Sequence, residues 1–137
     1  MNTFTLKILD VESPFYEGEC VSLVIPTSDG QYGIQAGHSN MVVAVVPGEL
    51  RYTKPDGETL IGAVSSGIAK VEDGSVFVLV ETSEYPGEID EKRAERAAQE
   101  AQEAMIQKKS IQEYYTARTR MAREMSRLRV KRHDKGM

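Results

Sequence analysis

Every proline in this chain, and every glycine except Gly136, lies at or before Gly87. Residues 88–135 contain neither and are rich in Ala, Glu, Gln, Lys and Arg, the composition of helix. The front is punctuated instead by Ser13-Pro14, Ser28-Asp29-Gly30, Pro47-Gly48, Pro55-Asp56-Gly57 and Asp73-Gly74, residues that preset φ or tolerate positive φ. Turn signals this close together demand short strands. The 137 residues therefore divide into a β part, 1–87, and a helical part, 88–137: one small domain and an appendage, too little chain for a two-domain enzyme.

Charge divides at the same place. Residues 1–87 carry 4 Lys+Arg against 12 Asp+Glu, a net −8, while residues 110–137 carry 8 against 3, a net +5. A tail of this sign seeks acidic surfaces, and an acidic front repels nucleic acid, so no nucleic-acid partner is expected. The second helix also lacks an aromatic stacking platform. No apolar run reaches the roughly 20 residues that span a bilayer, and the opening residues read as a strand rather than a signal segment. The chain is accordingly read as soluble, with room to sit against a membrane complex. Cys20, the single cysteine, makes no internal disulfide and no thiolate metal site, which fits a reducing compartment.

Phe4, Leu6 and Ile8 alternate with polar neighbours, as do Val21, Leu23 and Ile25, which places one apolar face on each strand. Met41 to Val46 and most of Val76 to Val80 are continuously apolar, the pattern of strands covered on both faces. An antiparallel sandwich or barrel follows. Within it His38, in Gly37-His38-Ser39, has no second His or Cys nearby, so it is read as a loop histidine bonded to its surroundings rather than a metal ligand. Ser65-Ser66-Gly67 lacks nucleophile-elbow spacing and is read as a tight strand turn. No phosphate-binding glycine loop precedes a helix. Neither a catalytic residue nor a metal site is expected.

In the back half Ala94, Ala97, Ala98, Ala101, Ala104 and Met105 form one stripe at helical spacing, which lets a partner helix approach closely. Acids at its start and Lys108 and Lys109 at its end suit the helix dipole. Ser110-Ile111-Gln112-Glu113 reads as a capping box opening a second helix, so the connection is short and the helices form an antiparallel hairpin. Tyr114, Ala117, Arg118, Met121, Met125 and Leu128 share the face suited to that stripe. Arg120, Arg123, Arg127 and Lys131 fall on the opposite side, within roughly 80° of one another. Such a run of one sign favours an acidic protein partner over plain solvation. A hairpin whose seam is mostly alanine is weakly held and suits a switch element.

With these residues in place, the whole chain resembles one family, the epsilon subunit of bacterial F-type ATP synthases. The resemblance rests on Ser28 to His38, similar to the family's Gly-x-Gly-Ile-x-x-Gly-His loop, on Ser66-Gly67-Ile68-Ala69-Lys70-Val71, and on Arg127-Leu128-Arg129-Val130. It implies a β-sandwich, residues 1–87, that binds the rotor, and a regulatory two-helix hairpin, residues 88–137. The subunit it implies is non-catalytic, lies in the central stalk and helps couple proton translocation to ATP synthesis. Implied partners are the gamma subunit, the ring of c subunits and, through the second helix, the alpha/beta catalytic head, whose hydrolysis the extended hairpin blocks. The implied location is peripheral, on the cytoplasmic side of the bacterial plasma membrane.

Some members of that family bind ATP on the folded hairpin through an Ile/Leu-Asp-x-x-Arg-Ala motif, which stands here as Ile89-Asp90-Glu91-Lys92-Arg93-Ala94. The resemblance carries Glu84, Ile89, Asp90, Arg93, Ala94, Arg123 and Arg127 over as nucleotide-binding positions. A first-helix position that is basic in the family is Glu100 here. Without nucleotide, Asp90 would cap the first helix and Arg93 would pair with a nearby Glu. No cofactor is required, and regulatory ATP is the implied ligand. Two rival readings stand beside this one: a free-standing module that recognises some other acidic protein, and a small hydrolase acting through His38.

Overall fold

The computed structural model describes residues 2–107 and 111–136. Ten strands come first: β1 Phe4–Leu9, β2 Pro14–Cys20, β3 Ser22–Thr27, β4 Gly30–Gln35, β5 Met41–Val45, β6 Gly48–Thr53, β7 Thr59–Val64, β8 Gly67–Glu72, β9 Ser75–Val80 and β10 Ser83–Glu84. A single 3-10 turn, Pro86–Glu88, leads to α1, Glu91–Gln107, and α2, Ile111–Gly136. Each turn signal read from the sequence falls at the junction of two consecutive strands. At Asp73-Gly74 both residues have positive φ, the two-residue turn that matches strand twist, and it joins β8 to β9.

The strands form two five-stranded sheets, in the orders β2-β1-β9-β8-β5 and β10-β7-β6-β3-β4. This is the expected sandwich, with one departure: β1 and β9 run parallel, pairing Thr5 with Ser75 through Leu9 with Leu79. Nothing in local turn chemistry announces a pairing between strands so far apart in the chain. Between the sheets lie Leu6, Ile8, Leu23, Ile25, Ile34, Leu50, Tyr52, Val78 and their neighbours, and this core contains no residue of either helix. Tyr52 is 1% exposed; burial pushes its phenol up, and its hydroxyl shares a 2.7 Å hydrogen bond with that of Tyr85, which donates to Phe15 O at 2.9 Å. Stacked on Phe15 with ring centres 4.0 Å apart, Tyr85 fixes the root of the helical part to the sandwich.

Two smaller expectations resolve structurally. His38 lies 2.9 Å from the hydroxyl of Tyr32, on the preceding strand β4, through Nε2 and 2.8 Å from Ser39 O through Nδ1. Ser65 Oγ accepts the Thr82 N–H at 2.7 Å, and a Cβ on Gly67 would lie 1.9 Å from Leu79 O, so this segment is built for close approach of β8 and β9. Gly67→Ala should therefore destabilise the sandwich by about 1–3 kcal/mol in denaturant unfolding, the usual cost of overpacking. Cys20 is buried; burial raises its thiol, which donates to Ser22 O at 2.9 Å and Thr53 O at 3.2 Å.

The apolar runs required the larger correction. Residues 41–45 and 75–80 alternate between buried and open positions; they are not covered on both faces. In register, Ala44 of β5 sits beside Ile68 of β8, Ile68 beside Leu79 of β9, and Leu79 beside Leu9 of β1. This apolar row crosses the outer face of the first sheet, where Ile68 is 46% and Leu79 41% exposed, with Val42, 65% exposed, in the next row. The helices cover the other sheet, α2 lying against β6 and β7. Continuity of apolar residues reported a second buried face correctly only if something outside this chain covers it.

The two helices pack on each other along the alanine stripe, with Ala94, Ala98 and Ala101 buried and Ala97, Ala104 and Met105 half-buried. Ala117 and Leu128 of α2 are buried as expected, but Arg118 and Met125 are exposed. The hairpin is antiparallel: Arg132 reaches Glu95 at 3.1 Å and Glu91 at 3.4 Å near the start of α1. Lys108, Lys109 and Ser110 of the expected dipole and capping-box signals lie outside the described residues. Helix α1 begins three residues later than Glu88, with Asp90 accepting the Arg93 N–H at 3.1 Å as its cap.

Candidate functional site: the cleft between hairpin and sandwich

The basic stripe of α2 does not face solvent as a whole. Helix α2 touches two bodies at once, so its buried arc is wide: by helical arithmetic Ala117, Met121 and Leu128 share one flank, and Arg123, Ser126, Arg127 and Val130 point well away from it. Val130, fully buried with Ile61, Ala63 and Ile89, marks that second flank as the one resting on the sandwich. Arg123, Arg127 and Lys131 are consequently half-buried, and Arg120 alone of the four is exposed. Apolar periodicity alone hides this, because the second contact is made largely by charged groups.

Between hairpin and sandwich lies a cleft of about 580 Å³. Its sandwich wall is acidic, with Asp10 and Glu12 from the β1–β2 turn, Glu81, and Glu84 of β10; its helical wall holds Arg93, Ala94, Arg120, Arg123 and Arg127, together with Asp90 and Glu124. Arg127 bridges the walls: its Nε donates to Glu84 Oε1 and its Nη1 to Glu124 Oε1. Glu124, only 7% exposed, tolerates burial because Arg127 neutralises it one helical turn on. Arg123 differs, since its Nε is buried with no hydrogen-bond partner among the described residues. A buried guanidinium donor left without a partner carries a desolvation cost that an acceptor brought to it would relieve.

The β1–β2 turn is tied to this wall. Asp10 Oδ1 accepts the N–H groups of Glu12 at 2.9 Å and Ser13 at 2.8 Å, and Oδ2 accepts the Ser83 hydroxyl at 2.7 Å, next to Glu84. Burial acts to raise the Asp10 carboxyl, yet these donors outweigh it and hold the group below the ordinary carboxylate value. Its hold on β10 is thus present above the carboxylate range and is lost only as pH falls through it.

Of the seven nucleotide-binding candidates, the cleft gathers Glu84, Asp90, Arg93, Ala94, Arg123 and Arg127. Ile89 is elsewhere, 5% exposed in the small apolar cluster under α2. Arg120, Arg123 and Arg127 of the partner-binding stripe line the same cleft, whereas Lys131 turns to the linker and donates to Pro86 O at 3.1 Å. Glu100 is exposed and does not line the cleft. Sequence reading gave no site role to Asp10, Ser83 or Glu124. Only Glu124 left a signal, its spacing of three residues before Arg127. Among the described residues no cluster of three or more potential metal ligands occurs.

Comparison with known proteins agrees with this layout. The family model for the β-sandwich domain of the ATP synthase delta/epsilon chain matches residues 3–86, and that for the long α-helix domain of the same chain matches residues 88–132. The ATP synthase epsilon chain of Ruminiclostridium cellulolyticum is 39% identical over 93% of this chain and 95% of its own length, and that of Ruminococcus albus is 36% identical over 95% and 97%. Among solved structures, a chain of the Euglena gracilis mitochondrial ATP synthase aligns with a TM-score of 0.79 at 21% identity, covering 90% of this chain and 78% of that one. At that identity the likeness is one of fold. No helix among the described residues is long and apolar enough to cross a membrane. A sandwich and a helical hairpin, each matched in order and at nearly full length, place the chain in the delta/epsilon-chain family of ATP synthase, as an epsilon-type subunit with no active site of its own.

Proposed function

We propose that the chain is a central-stalk subunit of an F-type ATP synthase that helps couple proton translocation to ATP synthesis and restrains ATP hydrolysis through its C-terminal helices. The observation that carries this reading is the division of the sandwich's two outer faces. The hairpin covers one, and the other keeps an open apolar row, Leu9, Leu79, Ile68 and Ala44, of the kind that marks a docking site. Its proposed occupant is the gamma subunit, with the c-ring meeting the sandwich nearby and the whole lying peripherally on the cytoplasmic side of the bacterial membrane. The hairpin leaves the main core untouched when it departs, because that core lies wholly between the sheets. Released, α2 would offer Arg120, Arg123, Arg127 and Lys131 to acidic segments of the catalytic head. Mixing the purified chain with gamma tests the docking: failure to form a complex at low micromolar concentration would favour the free-standing module.

The cleft is proposed to hold ATP as a regulatory ligand. Arg93, Arg123 and Arg127 would meet the phosphates, and the unpartnered Arg123 Nε supports that role. Arg127 would have to exchange Glu84 for phosphate, so the ligand enters against an existing ion pair. Bound at a hundredfold above its Kd, it would add about 2.7 kcal/mol to the closed hairpin. Calorimetry with the full chain and ATP should give a binding isotherm that Arg123→Ala and Arg93→Ala each weaken about tenfold. Absence of heat from the parent chain at millimolar ATP would remove the nucleotide from the account.

A further inference from the structure

Beyond the nucleotide cleft, the last turns of α2 meet the sandwich through a second set of contacts. Val130 is fully buried against Ile61 and Ala63 of β7 and Ile89 of the linker, and Lys131 donates to Pro86 O at 3.1 Å. Just past them, His133 Nδ1 lies 2.5 Å from Oε1 of Glu49 on β6. The other carboxylate oxygen of Glu49 is 3.6 Å from Arg51 Nη1. The Glu49 side chain is 17% exposed, so its charge is partly withdrawn from water and its partners matter more than those of a surface acid. Glu49 and His133 are separated by 84 residues and line no part of the nucleotide cleft.

We infer that this contact is a restraining latch: Glu49 captures His133 and keeps α2 folded on the sandwich without nucleotide. The charge pattern explains why a latch is placed there. The basic helix is attracted to acidic surfaces generally, and the −8 front of its own chain is one. Glu84 takes Arg127, a cation that an acidic partner would otherwise meet, and Glu49 holds His133 by a hydrogen bond that ties down the last turns of the same helix. Docking and partner binding then compete for one helix, and weakening the sandwich's hold releases it toward the partner. The regulatory half of this inference rests on the proposed inhibitory role of α2; the latch itself does not.

Hydrogen exchange on the full-length chain tests the latch first. Glu49→Gln and His133→Gln should each speed exchange in the last turns of α2 by about three- to tenfold, the yield of one lost hydrogen-bonded contact, and leave the strands of the main core unchanged. His133→Lys, which keeps an N–H donor for Glu49, should retain most of the protection, which a merely space-filling role would not. Unchanged exchange in both single variants, or exchange in His133→Lys as fast as in His133→Gln, would overturn the latch. In the assembled complex Glu49→Gln should lower ATP hydrolysis, because a freed helix inhibits more. Faster exchange with unchanged hydrolysis would uphold the latch and sink the inhibitory reading instead.

Discussion

Replacing Ile68 and Leu79 together with aspartate should weaken capture of the chain by gamma at least about thirtyfold, while leaving the chain folded. Both side chains stand on the outer face of the first sheet, 46% and 41% exposed, and are Cα partners across β8 and β9. A partner that covers this row would have to bury two carboxylates against apolar surface, at about 1–3 kcal/mol each even after partial compensation. In the free chain those carboxylates face water, and the cost is limited to strand propensity and like-charge repulsion across the pair, about 1 kcal/mol per site. Affinity and stability therefore separate. Aspartate at Ile61, which lies under α2 on the other sheet, is the matching control: it should loosen the hairpin and spare the complex with gamma. Undiminished capture of the Ile68/Leu79 variant would move the docking site off this face.

That face was half legible in the sequence. Continuous apolar runs at 41–46 and 75–80 reported that both sides of these strands want cover, which is sound physical chemistry. They cannot say whether the cover is intramolecular. Strands and turns were read well because each is set by residues adjacent in the chain: alternation in Phe4, Leu6 and Ile8, positive φ at Asp73-Gly74. The parallel pairing of β1 with β9 escaped, since no local residue encodes it.

The hairpin shows the same limit from the other side. The alanine stripe was found because close helix approach needs small side chains at fixed spacing. The position of the arginines was not, because α2 has two buried flanks and one is built from charges whose partners, Glu84 and Glu49, lie in distant strands. A cation stripe on a helix reads the same whether the acid that meets it belongs to another protein or to the same chain. Here the chain supplies its own acids, Glu84 and Glu49, where α2 rests on the sandwich.

Deleting residues 110–137 should raise ATP hydrolysis by the assembled enzyme at least about fivefold, the scale of a modest regulatory coupling, without preventing assembly. The main core contains no helical residue, so the sandwich keeps it and loses the cover over Ile61 and Ala63 and the α2 partners of Glu84, Glu49 and Pro86. Its docking row lies on the opposite sheet and is unaffected. What the deletion removes is every candidate inhibitory cation of α2, from Arg120 to Lys131, and with them the contact proposed for the catalytic head. The sign of the effect is the informative part. Loss of the helix should raise hydrolysis, whereas Glu49→Gln, which frees the helix but keeps it, should lower hydrolysis; a helix whose only task was to shield the sandwich would shift both in the same direction. Unchanged hydrolysis after deletion would mean that α2 does not inhibit. Failure to assemble would mean that the hairpin, and not the open row of the first sheet alone, carries part of the docking.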